Sequence, residues 1–341
     1  MITQTIECSL DKDSIWAKVR GRLSVFLDTN CWIDMADEAD ETACRVRDTL
    51  KALVASGRVF CPLSWGLLEE LFKQSGESLG LTASLMEELS LNTIFVMRTE
   101  LFRWEALRSI CRLRGDSPAE SLAGLFAPPA AFVGSGPCMS WKTDDPLCPE
   151  AQEAVKAYMK HSLSIIGVVE LAKTASGSKL SERFPAYSEA AKKLSAEFKG
   201  NKEGLFLEEA VNCFHVYVAP VLLKLPQEKV AAWSAQFGPP DDERAWVLNA
   251  LRELPALHNH IDIMVVADSQ PDRRDSSNHF MDNEIMVAPL AYASVFVSKD
   301  RGIRDMLRNR TEILKRTRCQ YCDSLKSLES WLAAHAMAPF T

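Results

Sequence analysis

Five acidic residues at four places stand where a parallel α/β sheet gathers its ligands. Asp28 follows the apolar run Leu23-Ser-Val-Phe-Leu, and Asp300 follows Val295-Phe-Val-Ser. Asp282 opens the helical stretch that feeds the second of these strands, and Glu69 and Glu70 fall in the helix after another strand. Ligands of open parallel sheets bind beyond the carboxyl ends of the strands. Acids gathered there repel one another unless a cation lies between them. Oxygen donors suit a hard divalent ion, Mg2+ or Mn2+. Such an ion activates water and steadies the charge of an in-line displacement at phosphorus. Taken singly, each acid has a plainer reading as a turn residue or a helix N-cap. Their joint placement carries the expectation.

The elements that must position these acids follow from periodicity. The continuous apolar run at 23–27 reads as a strand buried on both faces. A helix is expected from about Thr42 to Ala55, closed by Gly57. A short strand at 58–63 follows, then a helix capped by Ser64 and carrying Leu67, Leu68, Leu71 and Phe72. A strand at 92–97 and a helix near 99–114 continue the rhythm. Residues 127–149, rich in Pro, Gly and Ser, read as a linker or long loop. From 150 to 254 only helical periodicity is found, at 150–172, 179–199, 203–223, 226–236 and 240–254. After a polar loop at 268–278, a helix begins near Met281-Asp282 and runs to Ala293. A strand at 294–298, a short helix at 302–309, a strand at 317–322 and a helix at 324–336 end the chain. The reading is one α/β core split by a helical insertion.

The chain has 341 residues, 47% of them apolar and 25% charged, with a formal net charge of −7. That leaves ample material for a buried core and argues against disorder or a fibrous repeat. It also excludes a globally basic nucleic-acid coat. No apolar run of about 18 to 20 residues is visible, and Met1–Cys8 lacks the basic head and apolar stretch of a signal peptide. The expected address is cytoplasmic, with no membrane contact. Ten cysteines are too dilute for a disulfide scaffold. Cys8, Cys31, Cys44, Cys61, Cys111 and Cys213 sit singly among apolar neighbours and read as core thiols. Cys319 and Cys322 have C-x-x-C spacing, but a structural zinc needs a second knuckle. Cys138 and Cys148 are too widely spaced to supply one.

Four short motifs, in order, resemble the PIN-domain nucleases. They are Val25-Phe-Leu-Asp28-Thr-Asn30; Pro62-Leu-Ser-Trp-Gly-Leu-Leu-Glu69-Glu70-Leu71; Asp282 with its run of small apolar residues; and Val295-Phe-Val-Ser298-Lys-Asp300. The resemblance covers roughly 22–112 and 262–335, about half the chain, with 115–260 as an insertion. It implies a three-layer α/β/α core with a central parallel sheet, interrupted by a large all-helical insertion. It also implies a metal-dependent endoribonuclease using Mg2+ or Mn2+, with Asp28, Glu70, Asp282 and Asp300 as ligands. Asn30 and Ser298 would orient those ligands through hydrogen bonds. Glu70 is preferred to Glu69 because the family has Glu directly before Leu, whereas helical geometry does not decide. Glu284 reads as solvated. The family includes bacterial toxins and defence nucleases, which leaves room for an inhibitor or partner protein on the insertion. Small members lack such an insertion, and Pro289 should break or kink the helix after Asp282.

The stretch from Lys299 to Arg318 holds eight basic residues against three acidic ones. Lys299, Arg301, Arg304 and Arg308 lie nearest the acids and are candidates to hold the phosphates of an RNA substrate. Arg273 and Arg274 could extend the strip. The equal alternative is a solvated basic face paired with acids elsewhere. His258-Asn-His260-Ile-Asp262 mimics half of a metallo-hydrolase signature without its later partners. A phosphatase nucleophile would need Asp where Asn30 stands, and no phosphate-binding glycine loop is present. The rival from another class is a non-catalytic PIN-like scaffold that binds RNA or protein. No oligomeric state is legible.

Overall fold

Val25, Phe26 and Leu27 are fully buried, as are Val295, Phe296 and Val297. Runs that leave no face to water must be covered on both sides, and parallel pairing between helices does this. The computed structural model describes residues 4–9, 12–71, 76–112, 123–129, 138–143, 147–168, 196–198, 200–238, 242–268 and 277–336. The chain starts with β1 (Gln4–Ser9), α1 (Lys12–Val19), β2 (Leu23–Leu27), α2 (Thr29–Ala36), α3 (Glu41–Ala55) and β3 (Val59–Phe60). It continues with α4 (Trp65–Leu71), α5 (Gly76–Ser90), β4 (Ile94–Phe95), α6 (Arg98–Arg112), β5 (Phe126–Ala127) and β6 (Cys138–Thr143). Then come α7 (Pro149–Leu163), α8 (Lys202–Cys213), α9 (Ala219–Leu222), α10 (Gln227–Ser234), α11 (Glu243–Ala250) and α12 (Pro255–Asp268). The last elements are α13 (Ser277–Tyr292), β7 (Val295–Val297), α14 (Arg301–Asn309), α15 (Thr311–Arg316), β8 (Gln320–Cys322) and α16 (Leu325–His335).

The fold is α/β, mostly helical, with a four-stranded parallel sheet in the order β3-β2-β7-β8. A parallel bridge from Leu63 to Ile94 adds β4 outside β3. Counting only the parallel strands as they occur, the order is therefore 3-2-1-4-5. The chain steps outward from β2 to β3 and β4, then returns to lay β7 on the other side of β2. The direction of winding reverses between β2 and β7, the place where α/β sheets open a crevice for ligands. Register puts Phe26, Phe296 and Tyr321 side by side. Their rings stack at 5.6 and 6.1 Å. Buried aromatic side chains of this size each contribute about 1.5–3 kcal/mol, so this row anchors the strands whose ends carry the acids.

Helix boundaries follow local chemistry. Asp40 caps α3 by accepting from Ala43 N at 2.7 Å. Gly57, at φ +77°, takes the left-handed turn that ends it. The Ser64 hydroxyl accepts from Leu67 N at 3.3 Å and starts α4. α5 was not expected, because Gly76 and Gly80 weaken its helical signature. α13 begins at Ser277 rather than near Asp282, and it runs through Pro289 without a break. The missing N–H and the ring of Pro289 act on the turn before it, at the Ile285 carbonyl, while the helix closes one turn later where Ala293 N donates to Pro289 O at 2.8 Å.

The inserted region is not all-helical. β6 falls inside the stretch read as a loop and pairs antiparallel with β1, Ser9 opposite Cys138 and Gln4 opposite Thr143. β5 pairs with β4. Proline and glycine around 138–143 hid a strand whose partner lies more than a hundred residues away. The helical periodicities at 150–172, 203–223, 226–236 and 240–254 correspond to α7 through α11, whereas most of 179–199 lies outside the described residues. α8, a π-turn at Phe214–Val218 and α9 form one helix, Lys202–Leu222, long and apolar enough to cross a membrane. The sequence reading had seen no such run. The π-turn precedes Pro220, whose ring and missing N–H disfavour a regular turn. Phe214 packs edge-on against Trp246 at 5.1 Å, and Trp233 against Phe237 at 4.8 Å. Trp233 donates to Ser109 of α6 at 2.8 Å, fastening this aromatic box to the core.

A buried carboxylate joins the end of the insertion to the core. Glu105 of α6 accepts from Ala256 N at 2.7 Å and from Leu257 N at 3.0 Å, satisfying the open N-terminus of α12. Tyr292 of α13 donates to the same carboxyl. Burial drives the Glu105 carboxyl up to about 7, against the pull of Tyr292, the two N–H groups and Arg108. α12 runs unbroken across residues 260–262, so the insertion and the core share one helix.

Candidate functional site

Asp28 ends β2 and begins α2. Its backbone N–H continues the sheet ladder to Val297 O at 3.0 Å, and its Oδ1 accepts from Cys31 N at 3.1 Å. The apolar strand thus delivers a buried carboxylate, 5% exposed, to the sheet edge. Ser298 ends β7 beside it and donates its hydroxyl to Asp28 Oδ2. Ser298 Oγ also accepts from Asp300 N at 3.1 Å. One hydroxyl therefore sets the positions of both acids. Asp300 caps α14 by accepting from Ile303 N at 2.8 Å. Burial lifts the Asp28 carboxyl above the ordinary aspartate range; Ser298 and Cys31 hold it down, and the negative Asp300 adds to the rise. Among the described residues no cation pairs with Asp28, Glu70 or Asp300.

Glu70 and Glu69 are separated by their partners. The Thr29 hydroxyl, next to Asp28, donates to Glu70 Oε2. Glu69 Oε1 accepts from the Trp65 indole at 2.6 Å. Glu70 is therefore the one tied to the start of α2. Asn30, expected to orient the ligands, is exposed in the first turn of α2, and its neighbour Thr29 makes the contact instead. Asp282 lies in the second turn of α13, which packs against α4. Its side chain, with that of Glu284, lies outside the described residues. Among the described residues no three His, Cys, Asp or Glu side chains stand close enough to hold one ion.

Asp323, not singled out in the sequence, follows β8 as Asp28 follows β2 and Ser298 follows β7. Its only sequence signal was an acid directly after a strand. Tyr321, two residues earlier, donates its hydroxyl to Ser298 O at 3.0 Å. Burial raises the Tyr321 phenol, with the negative charges of Asp323, Asp28 and Asp300 adding to the rise and Arg304 opposing it. Tyr321 thus lies within electrostatic reach of the acids and of the basic strip.

The strip divides. Lys299 pairs with Asp34, and Lys315 pairs with Glu312 at 2.8 Å. Arg316 donates to Asp262 Oδ2 at 2.6 Å and to Asn259 Oδ1 at 3.0 Å, with Arg310 at 3.9 Å from the other Asp262 oxygen. Arg301, Arg308 and Arg318 are exposed, and Arg304 is half-buried. Arg273 and Arg274 lie outside the described residues. The His258–Asp262 segment turns out to be a clamp on these arginines. His260 is buried against Phe102 at 5.4 Å, and burial pushes it well below the ordinary histidine range. Cys319 and Cys322 are buried free thiols, and burial drives Cys319 up to about 12.

Comparison with protein-family models, curated proteins and solved structures returned no match. The site's own geometry therefore carries the functional argument.

Proposed function

We propose that this chain is a divalent-metal-dependent endoribonuclease on a three-layer PIN-like core, cleaving phosphodiester bonds of RNA. The observation that carries the reading is the buried Asp28 facing Asp300 across Ser298 at the reversal point of the sheet, with no cation partner among the described residues. The 3-2-1-4-5 strand order supports it, since it gathers the ends of β2 and β7 at one crevice.

All the donors here are carboxylate or hydroxyl oxygens, which fits Mg2+ or Mn2+. Asp28 and Asp300 would hold the ion, with Asp282 of α13 as a further ligand; Glu70 does not stand close enough to that pair here to complete a three-carboxylate group. When bound, it supplies water activation and charge stabilisation in an in-line displacement at phosphorus. Ser298 fixes the Asp28 carboxylate and the backbone of Asp300 at once. Thr29 holds Glu70 beside the same crevice. Asp28, buried next to a second acid, resists ionising alone; a cation favours its charged form, so ion binding and proton release at Asp28 are linked.

The test is cleavage of labelled single-stranded RNA in Mn2+ by the wild type, Asp28→Asn and Asp300→Asn, with EDTA as control. Asparagine keeps an oxygen for the Cys31 and Ile303 N–H groups, so the helix caps survive, while Asp28→Asn gives up both the charge and the acceptor of the Ser298 hydroxyl. Loss of cleavage in both variants and in EDTA supports the assignment. Cleavage unaffected by either substitution sinks it. A second reading, a non-catalytic scaffold for RNA or protein, draws on one observation: both acids already serve as helix caps. A folded wild type that neither cleaves nor binds Mn2+ favours that reading.

A further inference from the structure

Beside the acids, α14, α15, β8 and α16 line an open pocket of about 330 Å3. Its lining includes Arg304, Arg308, Leu307, Leu314, Tyr321 and Asp323. Lys299, Arg310, Lys315 and Arg316 are committed to carboxylates. The two arginines of the cavity have no ion pair among the described residues, and Arg304 Nε is buried without a hydrogen-bond partner. A guanidinium without an ion pair favours an incoming anion, because a charge-assisted hydrogen bond to it is stronger than a neutral one. The other wall is apolar and aromatic, and Asp323 offers an acceptor. Tyr321 borders this cavity while its hydroxyl touches Ser298, the residue that holds Asp28.

We infer that this cavity binds one unpaired nucleotide of a single-stranded RNA, phosphate on Arg304 and Arg308 and base against Leu307, Leu314 and Tyr321. The inference rests on the ribonuclease reading for its substrate class and deepens it by selecting single strands over duplex. The volume lies at the small end of ligand pockets, about 300–1,000 Å3, and suits one nucleotide. A duplex keeps its bases paired inside the helix and cannot offer one to a pocket. Flat basic surfaces hold either form through phosphates alone. An open pocket that sets two arginines beside apolar and aromatic side chains rewards an exposed base as well.

The experiment is fluorescence anisotropy of a short labelled single-stranded RNA, and of the same strand in a duplex, in EDTA across a salt series. Wild type, Arg308→Ala, Arg304→Ala, Asp28→Asn and Arg318→Ala are compared. Arg308 and Arg318 are both exposed, so their alanine variants fold, and only Arg308 lines the cavity. The expected result is single-strand affinity well above duplex affinity in the wild type, and about a tenfold loss in each cavity variant. Each cavity variant should also lower the slope of log affinity against log salt by about 0.7, the value for one phosphate contact on a single strand. Arg318→Ala should change affinity little, and Asp28→Asn should bind at least as tightly as the wild type. Equal losses in Arg308→Ala and Arg318→Ala, or equal binding of duplex, overturn the inference in favour of a diffuse basic surface. RNA binding that is absent altogether, with a peptide or protein captured through Arg304 and Arg308 instead, also overturns it. Arginine-dependent binding without cleavage in Mn2+ would keep the pocket and remove the nuclease reading, so the two failures are distinguishable.

Discussion

Glu105→Gln should change how stability depends on pH, and the structure sets both sign and size. Glu105 is 1% exposed, and burial drives its carboxyl up to about 7 from an ordinary 4.5. The folded protein therefore binds this proton more readily than the unfolded chain. The resulting stabilisation is fully present below about pH 4.5 and is lost as pH rises to about 7. At about 1.4 kcal/mol per pH unit, the interval corresponds to about 3 kcal/mol. Glutamine cannot titrate, so that component disappears. Glutamine also has one carbonyl oxygen where Glu105 uses two, which leaves the Ala256 or Leu257 N–H facing an amide NH2 group, at a cost of about 1–3 kcal/mol at every pH. Wild type should thus exceed the variant clearly at pH 4.5, and the gap should close or reverse by pH 8. Urea unfolding of both proteins across this range measures the difference, in which other titrating groups cancel. A gap that stays constant with pH would falsify the account of Glu105 as a buried, titrating cap.

Three other outcomes follow from the same geometry. Arg316→Ala should destabilise by about 2–4 kcal/mol, since it leaves the nearly buried Asp262 with the more distant Arg310 and His258; denaturant unfolding reads this, and unchanged RNA affinity would separate the clamp from the arginines proposed to hold phosphate. Mn2+ at about a hundred times its dissociation constant should add about 2.7 kcal/mol to the wild type and raise its melting temperature by several degrees, with no rise in Asp28→Asn or Asp300→Asn; equal rises in all three would place the ion elsewhere. His258, pushed down to about 4, and His260, held well below its ordinary range, bind protons less readily when folded, so they withdraw stability as pH falls below about 6.5. His260→Phe, which keeps a ring against Phe102, should therefore flatten acid unfolding below about pH 6.5, as read by thermal melts at stepped pH.

Strands β2 and β7 were legible because a strand covered on both faces must be apolar throughout, and both runs stop abruptly at a polar residue. The neighbourhood of Asp28, Ser298 and Asp300 was legible for the same reason. Glu105 was not singled out, yet its position carries a faint mark: it shares the stripe of Leu101, Phe102, Ala106 and Ser109, where a solvated glutamate does not belong. The partners of Arg310 and Arg316 were invisible, because Asp262 is about fifty residues distant and charge runs do not name their counterions. β6 was hidden by its Pro/Gly-rich surroundings, and its partner at the other end of the core leaves no local signal. The start of α13 was missed by a turn, since Ser277-Asn-His has no stronger N-terminal signature than Asp282.

α12 has a bearing on how this protein can be dissected. It belongs to both halves: Glu105 of the core secures its first turn, while Arg310 and Arg316 grip its middle through Asn259 and Asp262. A deletion of residues 115–260 severs this helix in its second turn and strands Glu105 with no N–H groups to receive its charge. It also removes Trp233, the partner of Ser109. The two outer segments spliced together are therefore not a self-sufficient core. A shortened chain must retain the residues from Leu254 onward and needs an apolar residue in place of Ser109, which loses its Trp233 partner. The inserted helices behave as a keystone of the fold, and a shortened chain needs its seam rebuilt before it can be assayed.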